Sequence, residues 1–278
     1  MWRWFDLRLE APKAISLKEA VGAMAQVALT DIELDGSPQK ANLCVTPETV
    51  ALVSKTQATD AVSVLLMPKQ LMTSFKCYES RNLQFNLEIL HRQLQLNNRH
   101  ALILYGEVES KDMLGYEDPD EPGDHVIFYE LENGPDRMIH SFKMPLLSWN
   151  RDAMDLRFLA NQYPVRLGLS SARFCELITD MDSFGCTVHA TLFENEVLFR
   201  VVNYERVFPT EPSRCETESD HGFPCALKFG IQHIKALLNA ATLSEMIWIW
   251  SSDKFTLLSF PIDGLGKLFF GHYKFTTI

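Results

Sequence analysis

The sequence has no Cys-x-x-Cys pair, no catalytic signature, no long apolar run and fewer bases than acids. Six cysteines, Cys44, Cys77, Cys175, Cys186, Cys215 and Cys225, lie far apart. In a chain this size they read as reduced, mostly buried thiols rather than a disulfide framework. No segment approaches the roughly 20 apolar residues of a membrane-spanning helix. The start, Met1-Trp2-Arg3-Trp4-Phe5-Asp6, lacks the basic-then-apolar layout of a signal peptide, so a soluble intracellular protein is expected. Lys and Arg number 26 against 36 Asp and Glu, a net charge of -10. That balance repels nucleic acid on average, so any DNA contact must come from a local basic surface.

The marks of an enzyme are also missing. Gly168-Leu169-Ser170-Ser171-Ala172 is not G-x-S-x-G, and Gly264-Leu265-Gly266 lacks a third glycine. The eight histidines are dispersed, with no H-E-x-x-H. Asp118-Pro119-Asp120-Glu121-Pro122-Gly123-Asp124 carries two prolines and no terminal Glu at calcium-loop spacing, which suits a solvated tip. No catalytic residue, cofactor or metal is expected.

What is present is a long alternation of strand and helix signals in 278 residues, 46% hydrophobic. Phe5, Leu7 and Leu9 alternate with Asp6, Arg8 and Glu10 at the period of a half-buried strand, which Pro12 ends. Ser16 and Glu19 form a capping box for a short helix carrying Leu17, Val21 and Met24. Strands are predicted from Ile32 to Tyr78, a helix over Leu87–Leu96, and strands over His100–Glu107 and His125–Leu131, with turns at Gly36 and Asn133-Gly134. Residues 144–163 have no clean period and read as a connector. The order then recurs: a helix capped by Ser170 or Ser171 with Phe174, Leu177, Ile178 and Met181; a hairpin, Thr187–Phe193 and Val197–Asn203; a helix with Ile231, Ile234 and Leu238 inward; and a hairpin, Met246–Trp250 and Phe255–Phe260. The domains expected are 1–143 and 164–278, with the connector 144–163 between them.

The outward helix faces carry polar stripes: Lys228, Gln232, Lys235 and Asn239 on the last helix, and Arg92, Gln95 and Arg99 on the second. The first helix offers Lys13 and Lys18, and the third mixes Arg173 with Glu176 and Asp180. Such stripes suit phosphate contact without base reading, but for any single helix a solvated amphipathic face is the commoner meaning, and the stripes alone do not establish DNA binding.

Four stretches resemble the PCNA-like sliding clamps, the DNA polymerase processivity factors: Phe75-Lys76-Cys77 with Arg81-Asn82-Leu83 and Asn86–Leu90; Cys44–Val53; Met154–Leu159; and Cys225–Phe229 with Lys267–Phe270. The resemblance implies an α+β fold of two tandem similar domains of antiparallel sheets with short helices on one face, its subunits closing into a ring around duplex DNA. It places Lys13, Lys18, Arg92, Arg99, Arg173, Lys228 and Lys235 toward the DNA. It also implies a pocket for partner peptides under the connector, formed by Val45, Val50, Leu52, Leu156, Phe158, Phe270 and Tyr273, although Val50 and Leu52 suit the core equally well. The implied partners are duplex DNA, DNA polymerase or repair proteins, a clamp loader and like or related subunits, with no membrane, at a nuclear or other intracellular site of replication. Two departures, helices poor in Lys and Arg and a long acidic stretch between Glu107 and His125, fit a checkpoint-clamp subunit or a viral processivity factor better than a self-sufficient homotrimer. A scaffold of the same fold that never encircles DNA stays open.

Overall fold

The computed structural model describes residues 2–35, 39–56, 61–96, 101–108, 125–131, 138–150, 156–160 and 162–273. Arg99, the predicted turns at Gly36 and Asn133, most of the acidic stretch and Met154-Asp155 of the connector lie outside them. The first run of elements is β1 (Trp2–Leu9), α1 (Ala11–Asp35), β2 (Lys40–Val45), β3 (Thr49–Lys55), β4 (Ala61–Pro68), β5 (Ser74–Cys77), β6 (Arg81–Asn86), α2 (Leu87–Leu96), β7 (Ala101–Val108), β8 (His125–Leu131) and β9 (Met138–Pro145). A short strand, β10 (Ser148–Asn150), and a 3-10 turn over Arg157–Ala160 follow. The second run is β11 (Val165–Ser170), α3 (Ser171–Asp182), β12 (Thr187–Leu192), β13 (Glu196–Val201), β14 (Tyr204–Pro209), β15 (Cys215–Ser219), β16 (Cys225–Gly230), α4 (Ile234–Ala241), β17 (Met246–Ser251), β18 (Phe255–Ile262) and β19 (Gly266–Tyr273). The protein is α+β, with mostly antiparallel sheets and few helices.

The pairings of the two runs correspond strand for strand. β1 pairs with β5 and β7, β7–β8–β9 continue from it, and β2 pairs with β6 and with β3, which pairs with β4. β11 likewise pairs with β15 and β17, β17–β18–β19 continue, and β12 pairs with β16 and with β13, which pairs with β14. The runs meet where β4 pairs with β19, giving a ten-stranded sheet in the order β10-β6-β2-β3-β4-β19-β18-β17-β11-β15. The counterparts of those two meeting strands, β14 and β9, end the four-stranded and five-stranded sheets.

The helices form a row, α1 contacting both α2 and α4, and α4 contacting α3. Their apolar sides and the facing residues of the strands make the main core, in which Phe260 packs edge-on against Phe174 and Phe270, with ring centroids 5.8 and 5.6 Å away. α2 spans the residues its periodicity predicts, and Asn86 caps it by accepting from the Glu88 and Ile89 amides at 2.9 and 3.3 Å.

Three expectations need correction. α1 starts at Ala11 and runs 25 residues instead of forming a short helix at Ser16. Pro12 is tolerated in a first turn, where its missing N–H has no helical acceptor. The Ser16 hydroxyl donates back to the Pro12 carbonyl at 3.2 Å, so it caps nothing. Packed between two helices and a sheet, α1 buries Ala20, Ala23, Ala25 and Ala28 as well as Leu17 and Met24, and a helix buried on several sides loses a one-sided stripe. At α3, Ser170 holds the cap position without a side-chain bond, while the Ser171 hydroxyl donates to the Ala241 carbonyl of α4. The last helix begins at Ile234, so Ile231 is buried before it, and Ala236, Leu237, Ala240 and Ala241 supply its buried face.

Two outcomes follow from this packing. Phe260→Ala should cost about 3–5 kcal/mol in urea unfolding, the usual loss for a buried phenylalanine, whereas exposed Val207→Ala should stay within about 0.5 kcal/mol. His91 of α2 lies against α1, where a β-carbon on Gly22 would come 3.4 Å from its Cε1. Burial lowers its pKa; Glu88 pulls it upward, and Lys18 adds a smaller downward push. The folded chain therefore holds this proton less tightly than the unfolded chain. The stability this gives is present above the ordinary histidine value of about 6.5 and is lost as pH falls below it. His91→Gln should flatten the stability profile between about pH 7 and 5, read by thermal unfolding across that range.

Candidate functional site

Strand residues alternate between two faces, and the ten-stranded sheet uses both. Cys44, Ala51, Val53, Val62, Val64, Phe255, Leu257 and Phe269 form a second apolar cluster on the face away from the helices. Between β10 at one end of that sheet and β11 near the other, residues of the connector lie on this cluster. Leu156, Phe158 and Leu159 are half-buried against it, with the Phe158 and Phe255 ring centroids 5.4 Å apart. The buried Tyr163 hydroxyl donates to the Phe158 carbonyl at 2.6 Å, and its ring packs 5.9 Å from Trp250. Glycine at 271 makes room for Phe255: a β-carbon there would fall 2.3 Å from the ring's Cζ.

The predicted pocket residues divide between the two faces. Leu156 and Phe158 lie on the connector face. Val45, Val50, Leu52 and Phe270 are buried in the helix-side core. Val50 and Leu52 line an apolar core cavity of about 20 Å3, room for little more than one water. Tyr273 ends β19, opposite Phe255 in register. Because the strand period is two, the connector is met by the immediate neighbours Cys44, Ala51, Val53 and Phe269. Val50 to Val53 of β3 are apolar and buried without a break, so the sequence there held no phase to separate the two faces.

Among the described residues, the cations predicted to face DNA do not form one continuous basic stripe. Lys228 sits on β16 opposite His189, not on a helix. Its supposed helical spacing to Lys235 crosses a strand end and a turn, and only Lys235 and Asn239 of that stripe belong to α4. Lys235 is exposed, while the Asn239 amide donates to Gln26 of α1 at 2.9 Å. Arg92 is paired with Glu88 at 2.8 Å, one turn back on α2. Arg173 bonds Glu211 at 3.1 Å and the Pro209 carbonyl at 3.2 Å, with its guanidinium 5.2 Å from the Phe208 ring centroid. Lys13 donates to the Leu71 carbonyl at 2.5 Å, and Lys18 to the Gln95 carbonyl at 3.4 Å. The acids of α3 are met as well: Arg206 of β14 bonds both Glu176 and Asp180.

Burial raises the Cys215 thiol to about 11 and moves Cys77 and Cys175 upward, which holds these sulfurs protonated and unreactive at neutral pH. Among the described residues no three His, Cys, Asp or Glu side chains gather as a metal-ligand set, and no helix is long and apolar enough to cross a membrane. Compared with known proteins, the sequence matches no family model and no curated sequence.

The connector's seat gives a direct test. Gly271→Ala should displace Phe255 and with it Phe158, costing about 1–3 kcal/mol as overpacking does. Limited proteolysis should then cut the connector faster than in the parent protein, while cleavage elsewhere keeps its rate.

Proposed function

We propose that the chain is a subunit of a PCNA-like sliding clamp, a non-catalytic ring component that encircles duplex DNA and tethers polymerase or repair proteins. The observation that carries this reading is the strand-for-strand repeat. Within the chain, β4 of the first run takes β19 of the second. Applying the same relation once more sets β14 of one copy against β9 of the next, a head-to-tail contact that generates a ring when the rotation closes. Residues 1–143 and 164–278 would be the two similar domains, with 144–163 between them. The β14 edge suits such pairing, because unpaired edge strands are a template for other chains. Val207 on it is 50% exposed, Val202 beside it 72%, and Phe184, stacked on Tyr204 at 4.6 Å, 46%.

The row of four helices would line the channel. Its cations are largely engaged: Arg92 and Arg173 meet Glu88 and Glu211. A ring of three identical copies would therefore offer a weakly basic channel. This favours a subunit of a heterotrimeric checkpoint clamp, with more basic companions, over a self-sufficient homotrimer. A topological link needs little phosphate contact, so weak contacts from Lys235 and its neighbours are compatible with sliding. Opening by a clamp loader and work at the nuclear site of replication or repair belong to the same proposal. A scaffold that never encircles DNA is the alternative.

Light scattering on the chain, alone and with clamp-like subunits from the same source, tests the assembly. A mass near three chains is expected, and Val202→Lys with Val207→Lys should return it to the monomer with the fold intact, as charged residues on an edge oppose strand addition. A monomer under every condition overturns the ring. If the ring forms and loads onto nicked circular duplex, it should resist high salt and slide off once the circle is cut. Equal release from intact circles would favour the scaffold.

A further inference from the structure

Past the part of the sheet that the connector covers, the same outer face holds an open groove of about 400 Å3, within the size range of ligand sites. Trp248 and Trp250, two apart on β17, both face it and are half-buried. Gly168 lies across from Trp248 on β11, and a β-carbon there would come 3.1 Å from the indole's Cη2 and Cζ3. The indole therefore rests on bare backbone with its remaining surface on the groove. Directly across on β18 is Ser259, a wholly buried residue of the groove lining whose Oγ has no hydrogen-bond partner among the described residues. A buried hydroxyl without a partner is uncommon in a folded protein, and here it leaves hydrogen-bonding capacity unspent at the groove floor.

The rim supplies charge. Lys267 Nζ stands 5.9 Å from the Trp250 ring centroid, and exposed Arg166 bonds Glu218 at 3.0 Å. Arg166 and Lys267 against Glu218 make the lining net positive in a chain of charge -10. An apolar floor, one unmet hydroxyl and a basic rim call for a ligand with a large apolar group, a backbone amide and a carboxylate.

We propose that this groove binds an extended acidic peptide segment of a partner protein. An aromatic or aliphatic side chain of the segment stacks on Trp248 and Trp250, a peptide N–H donates to the Ser259 hydroxyl, and a carboxylate meets Lys267. Single-stranded nucleic acid fits less well, because a groove that follows phosphates is basic along its length, whereas Glu218 of β15 interrupts this rim and engages Arg166. The proposal concerns one face of one sheet and does not depend on ring formation.

The experiment titrates the full chain, isotope-labelled at its indole nitrogens, with an acetylated and amidated peptide Asp-Asp-Phe-Leu-Asp. The same peptide with Lys in place of Asp and a short oligothymidylate serve as comparisons. The Trp248 and Trp250 signals should shift and saturate with the acidic peptide, while those of the other tryptophans stay in place. Lys267→Glu, an exposed change, should weaken binding about five- to tenfold. Ser259→Ala should weaken it about two- to fivefold without lowering the unfolding midpoint, since that hydroxyl has no partner in the fold to lose. Absence of a saturable shift, an equal response to the lysine peptide, a preference for the oligothymidylate, or unchanged affinity in both variants overturns the proposal.

Discussion

Strands β4 and β19 pair from Ala61 opposite His272 to Leu66 opposite Lys267, joining stretches that lie far apart in the chain. Without this ladder each run would keep its own pairings, but neither would have the ten-stranded sheet that the helices and the connector use as a floor. Apolar side chains are buried on both sides of the junction. Ala61, Leu65 and Phe270 face the helix-side core, whereas Val62, Val64 and Phe269 face the connector cluster. One antiparallel pairing thus carries two apolar surfaces at once, and a slip of one residue would exchange them.

That arrangement explains the difference between the two ends of the protein. The helix side is closed: α1, flanked by α2 and α4, buries alanines close against its neighbours. The other side is covered over part of its width by the connector, held by Phe158 on Phe255 and by the Tyr163 hydroxyl on the Phe158 carbonyl. Beyond the connector, Trp248 and Trp250 remain partly open. A surface of this kind, half apolar and rimmed with charge, is typical of recognition rather than of a core.

Electrostatics in the protein are mostly local. Arg206 answers Glu176 and Asp180, Arg173 answers Glu211, and Arg92 answers Glu88. Both Arg173 and Arg206 also lie over the Phe208 ring, at 5.2 and 5.1 Å from its centroid. Pairing of this kind organises α3 and the β14 edge but leaves little uncompensated charge there for phosphates. Binding through topology or through peptide grooves asks less of the surface charge than tight DNA contact does.

Sequence periodicity by itself determined the elements that bury one side only. β1 follows the alternation of Phe5, Leu7 and Leu9; α2 follows Leu87, Leu90 and Leu94; α3 buries Phe174, Leu177, Ile178 and Met181 at helical spacing. The recurrence of the layout was legible for the same reason. Tertiary structure decided the rest. α1 is buried on several sides, so its pattern understated its length, and the Lys228–Lys235 spacing looked helical although a strand end intervenes. Val45, Val50, Leu52 and Phe270, expected beneath the connector, lie on the other face because the strands of the central sheet are apolar on both faces. Val50, Ala51, Leu52 and Val53 are all buried, and a continuous apolar run carries no phase. Only the placement of the connector on one face and the helices on the other tells those residues apart.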